Sequence, residues 1–257
     1  MSGGSMRLEV DRQERAPKGL RGFRTSYERL ARAQKGHARG APAYSVYVNR
    51  RIGRMLAAFA YAIGLTPNQV TAISALHTFV GIGLIIVLPP SWWSGVIIGL
   101  LLMLGYAWDS ADGQVARLSG GGSPAGEWLD HFVDATKLAI LHLAVLVALW
   151  WHTDLRDSPW LIVPLVFAVA SMVTFFGMIL NDLIRASNSA QSSHDRGGGT
   201  LLRSLVLVPT DYGFLCIVFL LWGATSIFLP LYTALAGVAF AFLAMAAVKW
   251  FREMKRI

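Results

Sequence analysis

Apolar residues recur in long runs along most of this 257-residue chain, and polar residues are concentrated at its start and in short connections. From residue 67 onwards, six apolar stretches each approach the roughly 20 residues that a membrane-spanning helix needs. They cover residues 67–88, 92–117, 125–151, 159–185, 203–223 and 226–249. The pattern predicts an all-α integral membrane protein with six transmembrane helices, and the mean hydropathy of +0.49 agrees with it.

A different pattern precedes these runs, because apolar residues there recur every three or four positions, as on one face of a helix. The residues of this face are Val48, Ile52, Leu56, Phe59 and Ile63. Three arginines, at positions 50, 51 and 54, fall mostly on other faces. Such a helix suits the headgroup layer better than the bilayer core. We predict an interfacial amphipathic helix over residues 43–65, and a new helix that begins at Thr66-Pro67 with a capping box.

Positive charge is concentrated at the N-terminus. The net charge is +8, and residues 1–54 contain 13 Lys/Arg and 4 Asp/Glu, whereas the rest of the chain contains 10 and 11. A basic arm of this kind is attracted to an anionic lipid surface. The expected partner is therefore the lipid bilayer and not nucleic acid. Residues 1–42 are predicted to be a loosely ordered arm with at most a short helix near Tyr27–Gln34.

The distribution of Lys and Arg among the connections predicts the orientation in the membrane. The arm, the 186–203 segment and the basic tail at 251–257 all fall on one side, whereas the opposite connections contain only Arg156. By the positive-inside rule, both termini are cytoplasmic, which six spans also require. The protein is expected in the cytoplasmic (inner) membrane, with residues 66–250 as its membrane domain.

Four carboxylates lie where the second and third spans approach the cytoplasmic side. Asp109 and Asp112 are three residues apart, and Asp130 and Asp134 are four apart, so each pair shares one face of its helix. Unpaired carboxylates at membrane depth are costly, and one Arg and one Lys cannot neutralise four of them. Carboxylates without His or Cys partners favour a hard divalent cation, Mg²⁺ or Mn²⁺. The only cysteine in the sequence, Cys216, lies in an apolar run, so a metal site built from cysteines is not expected.

These residues match the pattern D-x2-D-G-x2-A-R-x8-G-x3-D-x3-D, and the chain thereby resembles the CDP-alcohol phosphotransferases. The fixed positions are Asp109, Asp112, Gly113, Ala116, Arg117, Gly126, Asp130 and Asp134. Eight fixed residues at fixed spacing make a specific signal. The likeness extends over about residues 43–250, because that family also has an interfacial helix, six spans and a Thr-Pro-Asn start to the first span.

The resemblance implies transfer of a phospho-substituted group from a CDP-linked donor to an alcohol, with release of CMP. It also implies that the four aspartates hold metal, with two ions expected, and that Asp134 is the catalytic base. Asp112, Gly113, Ala116, Arg117 and Gly126 would then contact the CDP group. Homodimers are usual in the family, and Gly95-x3-Gly99 is a motif that can seat a neighbouring helix.

Two other classes share some of these features. Membrane prenyltransferases also combine Asp-rich helices with Mg²⁺ and a diphosphate, but they have two separate Asp-rich sites and more spans. Ion-coupled transporters contain buried acids, but they call for an inverted repeat or polar groups through the midplane. This chain has one Asp-rich site and no such repeat.

The sequence indicates more than one class of acceptor alcohol. Lys137, Arg185 and Arg203 could bind an anionic acceptor such as a phosphorylated polyol, or they could be ordinary flanking charges. His131 gives Asp-His-x-x-Asp, which resembles the aminoalcohol phosphotransferases that act on diacylglycerol. CDP-diacylglycerol and a small polar alcohol are the expected substrates, and CDP-polyol or CDP-aminoalcohol donors remain alternatives. Asp211, near the start of a span, is interpreted as a helix cap.

Overall fold

The computed structural model describes residues 20–32, 42–188 and 210–256, and every regular element in these ranges is helical. The α-helices are α1 (Leu20–Arg32), α2 (Arg50–Ala62), α3 (Pro67–Val87), α4 (Trp92–Leu118), α5 (Pro124–His152), α6 (Ile162–Ser187), α7 (Tyr212–Val218) and α8 (Thr225–Met254). A π-helical turn, Ser45–Asn49, precedes α2, and 3₁₀ turns at Pro159–Leu161 and Phe219–Leu221 precede α6 and follow α7.

Five of the described helices are long and apolar enough to cross a membrane. These are Pro67–Val87, Trp92–Leu118, Pro124–His152, Pro159–Ser187 and Thr225–Met254. Large apolar side chains project outward from them, including Leu76, Phe176 and Met245, each more than 60% exposed. Apolar side chains on the outside of apolar helices are typical of a protein surrounded by lipid. The predicted all-α membrane protein is confirmed at this level.

The predicted fifth span, 203–223, is only partly described. Residues 203–209 lie outside the described ranges, and the apolar helix that follows covers Tyr212–Leu221. Two glycines of α4 hold this helix close, since a Cβ at Gly95 would lie 3.0 Å from the carbonyl oxygen of Leu220. Gly99 faces the same Leu220. The Gly95-x3-Gly99 motif thus packs against a helix of the same chain. It therefore does not support the predicted homodimer.

Polar caps begin the three helices that form the site. Thr66 and Gln69 make the predicted capping box at the start of α3, where Pro67 is the first helical residue. Ser91 caps α4, and Ser123 caps α5 before Pro124. These caps satisfy backbone N–H groups that have no partner within the helix. The capping box at Thr66 is confirmed, and it fixes the point where the chain enters the bundle.

The N-terminal arm contains a longer helix than predicted. The expectation was a short helix near Tyr27–Gln34, but α1 begins at Leu20 and ends at Arg32. Gly22, Ser26 and Leu30 share its buried face, and Leu30 joins a core formed by α2, α3 and α4. Small residues let the helices approach, and the leucine packs between them. That tertiary contact explains the seven additional residues at the start of the helix.

The main core lies between α3, α4, α5, α6, α7 and α8. Its largest fully buried side chains include Ile85, Leu102, Phe219, Trp222 and Tyr232. Within it, His142 stacks on Phe167 at 4.0 Å between ring centroids and hydrogen-bonds Tyr232 and Ser171. The four aspartates lie on α4 and α5, and α3 packs against both of these helices and holds them in one bundle.

Candidate active site

The four predicted metal ligands lie at one end of the bundle, two on the last turns of α4 and two on the first turns of α5. A loop of five residues, 119–123, reverses the chain between these helices. Gly120 and Gly121 in this loop have φ of 99° and 126°, a backbone region that favours glycine. The glycine-rich sequence therefore permits the sharp reversal that sets the two aspartate pairs side by side.

Three of the carboxylates converge. Oxygen atoms of Asp109, Asp130 and Asp134 all lie within 4.8 Å of one another, and each residue is half-buried. Such a set of oxygens can share one divalent cation, since Mg²⁺ and Mn²⁺ prefer oxygen ligands. In the part of the chain that the structure describes, the group contains no His or Cys, which fits the hard cation predicted from the sequence.

Lys137 provides the positive charge inside this group. Its ammonium nitrogen Nζ lies 2.9 Å from Asp109 Oδ1 and 2.6 Å from Asp134 Oδ1, and the residue is 5% exposed. One buried lysine thereby links α4 to α5. It balances one of the four acidic charges, so the remaining negative charge still favours a bound cation. Lys137 therefore lies within the acidic cluster, the group formed by Asp109, Asp130 and Asp134. It is not a flanking charge at a helix end.

Asp112 does not belong to this group of three carboxylates. Its carboxylate accepts a hydrogen bond of 2.8 Å from Thr71 Oγ1, and the backbone N–H of Gly113 also donates to it. Asp112 and Asp130 line a cavity of about 780 Å³, a size typical of small-molecule sites. Asp130 belongs both to the group of three carboxylates and to the wall of this cavity, and therefore connects the two.

The cavity contains four of the five residues predicted to contact CDP. Its lining consists of Thr66, Pro67, Asn68, Thr71, Asp112, Gly113, Ala116, Ser119, Gly121, Gly122, Ser123, Pro124, Gly126, Glu127 and Asp130. The contribution of α3, through Asn68 and Thr71, was not among the predicted site residues. Only the Thr-Pro-Asn sequence at the start of the first span could have indicated it.

Gly113 and Gly126 face this space for different reasons. A Cβ built at Gly113 would have only Arg117 Nη1, at 3.9 Å, nearby, so packing does not require glycine there. A Cβ at Gly126 would come within 3.1 Å of Asn68 Oδ1, so α3 and α5 approach closely at that point. Gly113 keeps the cavity open, and the exposed Arg117 extends beside it.

The predicted acceptor residues are spread more widely. His131 lies 4.0 Å from Glu127 and beside the Phe175 ring, outside the group of three carboxylates. Arg185, 5% exposed, donates to Glu253 of α8 at 2.6 Å. Arg203 lies outside the described residues. Of the four candidates, the structure brings Lys137 into contact with the aspartates.

A second, mostly apolar cavity of about 320 Å³ lies between α5, α6, α7 and α8. Leu138, His142, Phe167 and Phe242 are among its walls, and Asp211 and Tyr212 lie at its edge. The Tyr212 ring faces the Lys137 ammonium at 5.3 Å, a cation–π contact. Lys137 thus lies between the acidic cluster and a residue that lines the apolar cavity.

Asp211 joins three elements near this point. Its carboxylate accepts hydrogen bonds from the backbone N–H groups of Ser45 at 2.8 Å and Gly213 at 2.9 Å, and it lies 3.5 Å from the Tyr106 hydroxyl. The predicted cap is present, since Gly213 belongs to the first turn of α7. The contact with Ser45 was not predicted. Because Tyr106 is three residues before Asp109, this link ties the segment before α2 to the acidic cluster.

Comparison with known proteins identifies relatives. The chain is 38% identical over 113 residues to a phosphatidylinositol phosphate synthase of Corynebacterium glutamicum, covering 42% of this chain and 48% of that protein. It is 32% identical over 154 residues to the Mycolicibacterium smegmatis synthase, covering 59% and 62%. The matches thus span about half to three-fifths of these relatives. A choline/ethanolaminephosphotransferase 2 of Arabidopsis thaliana is 37% identical over 91 residues, 35% of this chain and 21% of that one.

The fold also has a solved counterpart. The crystal structure of Mycobacterium tuberculosis phosphatidylinositol phosphate synthase with CDP-DAG bound superposes with a TM-score of 0.51 at 21% identity. The match covers 80% of this chain and 92% of that one. The family model described as CDP-alcohol phosphatidyltransferase matches residues 64–250, which include all four aspartates and the whole cavity wall. The chain is therefore a member of the CDP-alcohol phosphatidyltransferase family.

Proposed function

We propose that this protein transfers a phosphatidyl group from CDP-diacylglycerol to the hydroxyl of a small polar alcohol and releases CMP. The proposal rests on one observation: three converging carboxylates lie beside a cavity of about 780 Å³. Membership of a family of transferases supports the reaction type.

The donor is proposed from the chemistry of the cavity. Asp112, Gly113, Ala116, Arg117 and Gly126 would contact the CDP group, with Arg117 beside its phosphates. The Mycobacterium tuberculosis structure of the same fold was solved with CDP-DAG, which supports a CDP-linked lipid donor here. The exposed apolar sides of the spanning helices are compatible with acyl chains that remain in the bilayer.

The four aspartates would hold two divalent ions, Mg²⁺ or Mn²⁺. Asp109, Asp130 and Asp134 fit one such ion, because their oxygens already lie within 4.8 Å of one another. Asp112 would hold the second together with its neighbours. Bound ions would neutralise the diphosphate and stabilise CMP as the leaving group.

Asp134 would act as the general base. It accepts the proton of the acceptor hydroxyl while that oxygen bonds to the phosphorus that bears diacylglycerol. The bond from this phosphorus to the oxygen of CMP breaks, and CMP leaves with the bonding electrons. Lys137, 2.6 Å from Asp134, holds the carboxylate in place between the two helices.

A phosphorylated polyol is the proposed acceptor class. Lys137 is a buried cation beside the base, and Arg185 is a buried cation on α6, so either could bind an acceptor phosphate. His131 and Arg203 complete the proposed acceptor residues. Two relatives are named phosphatidylinositol phosphate synthases, which supports an acceptor with a phosphate.

A lipid acceptor is the second candidate, with a CDP-aminoalcohol or CDP-polyol as donor. The apolar cavity of about 320 Å³ favours it, because its walls suit an acyl chain better than a charged polyol. The partial match to a choline/ethanolaminephosphotransferase and the Asp-His-x-x-Asp sequence at His131 point the same way.

The proposed topology has six spans, with residues 203–223 as the fifth and residues 66–250 as the membrane domain. The segment 43–65 lies in the headgroup layer, and both termini and the acidic cluster are cytoplasmic. The tryptophans Trp92, Trp93, Trp150, Trp151 and Trp160 lie at the opposite end of the bundle and are exposed, as in an interfacial aromatic belt.

The test is CMP release by the purified protein in lipid nanodiscs, with each CDP donor paired with each acceptor. The proposal expects turnover with CDP-diacylglycerol and a phosphorylated polyol. Turnover only with a CDP-aminoalcohol and diacylglycerol would establish the second candidate instead. No CMP release with any pair would contradict both.

A further inference from the structure

We propose that α1 is a docking surface for anionic lipid headgroups, and that lipid bound there holds α1 against the back of the cavity wall. The helix precedes the matched region, which begins at residue 64, so this feature lies outside the family domain. The proposal does not depend on the reaction assigned above.

The two sides of α1 differ in chemistry. Gly22, Ser26 and Leu30 are buried against the bundle. The opposite side presents Arg24 and Arg32, whose side chains are 88% and 82% exposed although both contact Glu28, at 3.0 and 3.9 Å. Arg29 is also exposed, and Glu28 is the only acid of the helix, so four arginines give α1 a net charge of +3. This outer side is a basic surface on a docked helix.

The neighbouring α2 indicates where the bilayer lies. Val48, Ile52, Met55, Phe59 and Ile63 are spaced along one side of this segment and are each 40–58% exposed. Such an apolar stripe is stable only where acyl chains cover it. Tyr27 of α1 lies beneath the Arg54 guanidinium of α2 at 5.3 Å, on the side of α2 that faces away from this stripe. The arginines of α1 therefore lie about one helix diameter, roughly 10 Å, from the stripe on its polar side, a distance at which anionic headgroups still attract them.

Charge complementarity identifies the ligand. A layer of phosphatidylglycerol or similar lipids carries negative charge, and basic residues near it each strengthen binding by about fivefold. A neutral phosphatidylcholine surface offers no net charge to α1. The ligand is therefore the anionic headgroup, supplied by the membrane in which the bundle is embedded.

The buried side of α1 connects this surface to the site. Leu30 packs in one cluster with Ala111, Val115 and Leu118 of α4. These residues alternate along α4 with Asp112, Gly113 and Ala116, which line the large cavity. Anything that holds α1 in place therefore also restrains the turn of α4 that forms the cavity wall.

Hydrogen–deuterium exchange of the full chain in nanodiscs tests the proposal without substrate. Discs of phosphatidylcholine alone are compared with discs that contain about a third phosphatidylglycerol. We expect exchange within residues 20–32 to slow by about tenfold or more in the anionic discs, with a smaller slowing within 111–118. High salt should reduce the effect.

Two triple variants distinguish a lipid contact made by α1 from a general effect of positive charge. Arg24→Gln, Arg29→Gln and Arg32→Gln together should remove the dependence on lipid composition. Arg252→Gln, Lys255→Gln and Arg256→Gln remove the same charge from the C-terminal end and should preserve it. Equal exchange of α1 in both discs, or lipid dependence retained by the first triple variant, would overturn the proposal.

Leu30→Ala tests the link to the cavity wall. It retains every arginine, so α1 should still respond to lipid, but the response within 111–118 should disappear. Unchanged exchange within 141–149, in the main core, would show that the bundle is folded. A response within 111–118 that survives Leu30→Ala would overturn the proposed connection. Because these readouts use no substrate, their failure would leave the proposed transferase reaction untouched.

Discussion

The ammonium nitrogen of Lys137 lies 2.9 Å from Asp109 Oδ1, across the gap between α5 and α4. The same nitrogen contacts Asp134, four residues after Asp130 on its own helix. A lysine that touches two carboxylates of the cluster affects how that cluster is arranged. An acceptor contact alone would describe only part of its role.

Replacing this lysine should therefore change turnover as well as acceptor binding. A hydrogen bond to a charged group contributes about 1.5–3 kcal/mol, so Lys137→Gln should lower kcat by roughly tenfold to a hundredfold. Arg185→Gln, which removes a contact with Glu253, should mainly raise the KM for a phosphorylated acceptor. Steady-state kinetics with both substrates varied would distinguish the two. A Lys137→Gln enzyme with normal kcat would show that Lys137 has no role in arranging the aspartates.

The second prediction concerns the link between Asp211 and the backbone of Ser45. Asp211 is 3% exposed, and Asp211→Ala would leave buried N–H groups without partners. We expect a loss of about 1–3 kcal/mol in the free energy of unfolding. Tyr106→Phe removes the 3.5 Å contact but leaves both N–H partners of Asp211 in place, so it should cost much less. Thermal unfolding in detergent compares the variants, and equal stability of Asp211→Ala and wild type would contradict the assigned role.

Much of this arrangement could be predicted from the sequence, and the reason is the regularity of helices. Spacings of three and four residues put each aspartate pair on one face, and the Thr66 cap was evident from its neighbours. Contacts between elements that are far apart in the sequence produce no comparable spacing pattern. The sequence marks Asp211 as a cap, but its bond to Ser45 depends on how α7 packs beside the π-helical turn. The length of α1 likewise depends on a tertiary contact of Leu30.

The close approach of α4 to the helix after Asp211 gives a third prediction. Gly95→Val would place atoms against the carbonyl oxygens of Phe219 and Leu220, which cannot move as freely as side chains. Overpacking of this kind costs about 1–3 kcal/mol. Gly83→Val is a matched control, because a Cβ at Gly83 would meet nothing within 4 Å. If the two variants unfold at the same temperature, the short helix does not pack on Gly95 as described.

Membrane orientation can be tested separately. Reporters fused after Gly120 and Ser192 should both be cytoplasmic, and one after Thr153 should be external. The reason is that Lys and Arg are concentrated in the segments predicted to be cytoplasmic. A cysteine-accessibility assay at the same positions provides an independent control. An external reporter at Gly120 would put the acidic cluster on the wrong side for a cytoplasmic CDP donor.

Metal-dependent release of CMP from CDP-diacylglycerol tests the central claim most directly. Removing one carboxylate removes both a ligand and a charge, so Asp109→Asn, Asp130→Asn and Asp134→Asn should each lower turnover at least a hundredfold. EDTA should abolish turnover, and Mg²⁺ or Mn²⁺ should restore it, whereas Asp157→Asn at the opposite end of the bundle should behave as wild type. Near-normal CMP release by any of the three cluster variants, or full activity in EDTA, would contradict the proposed metal-dependent transferase.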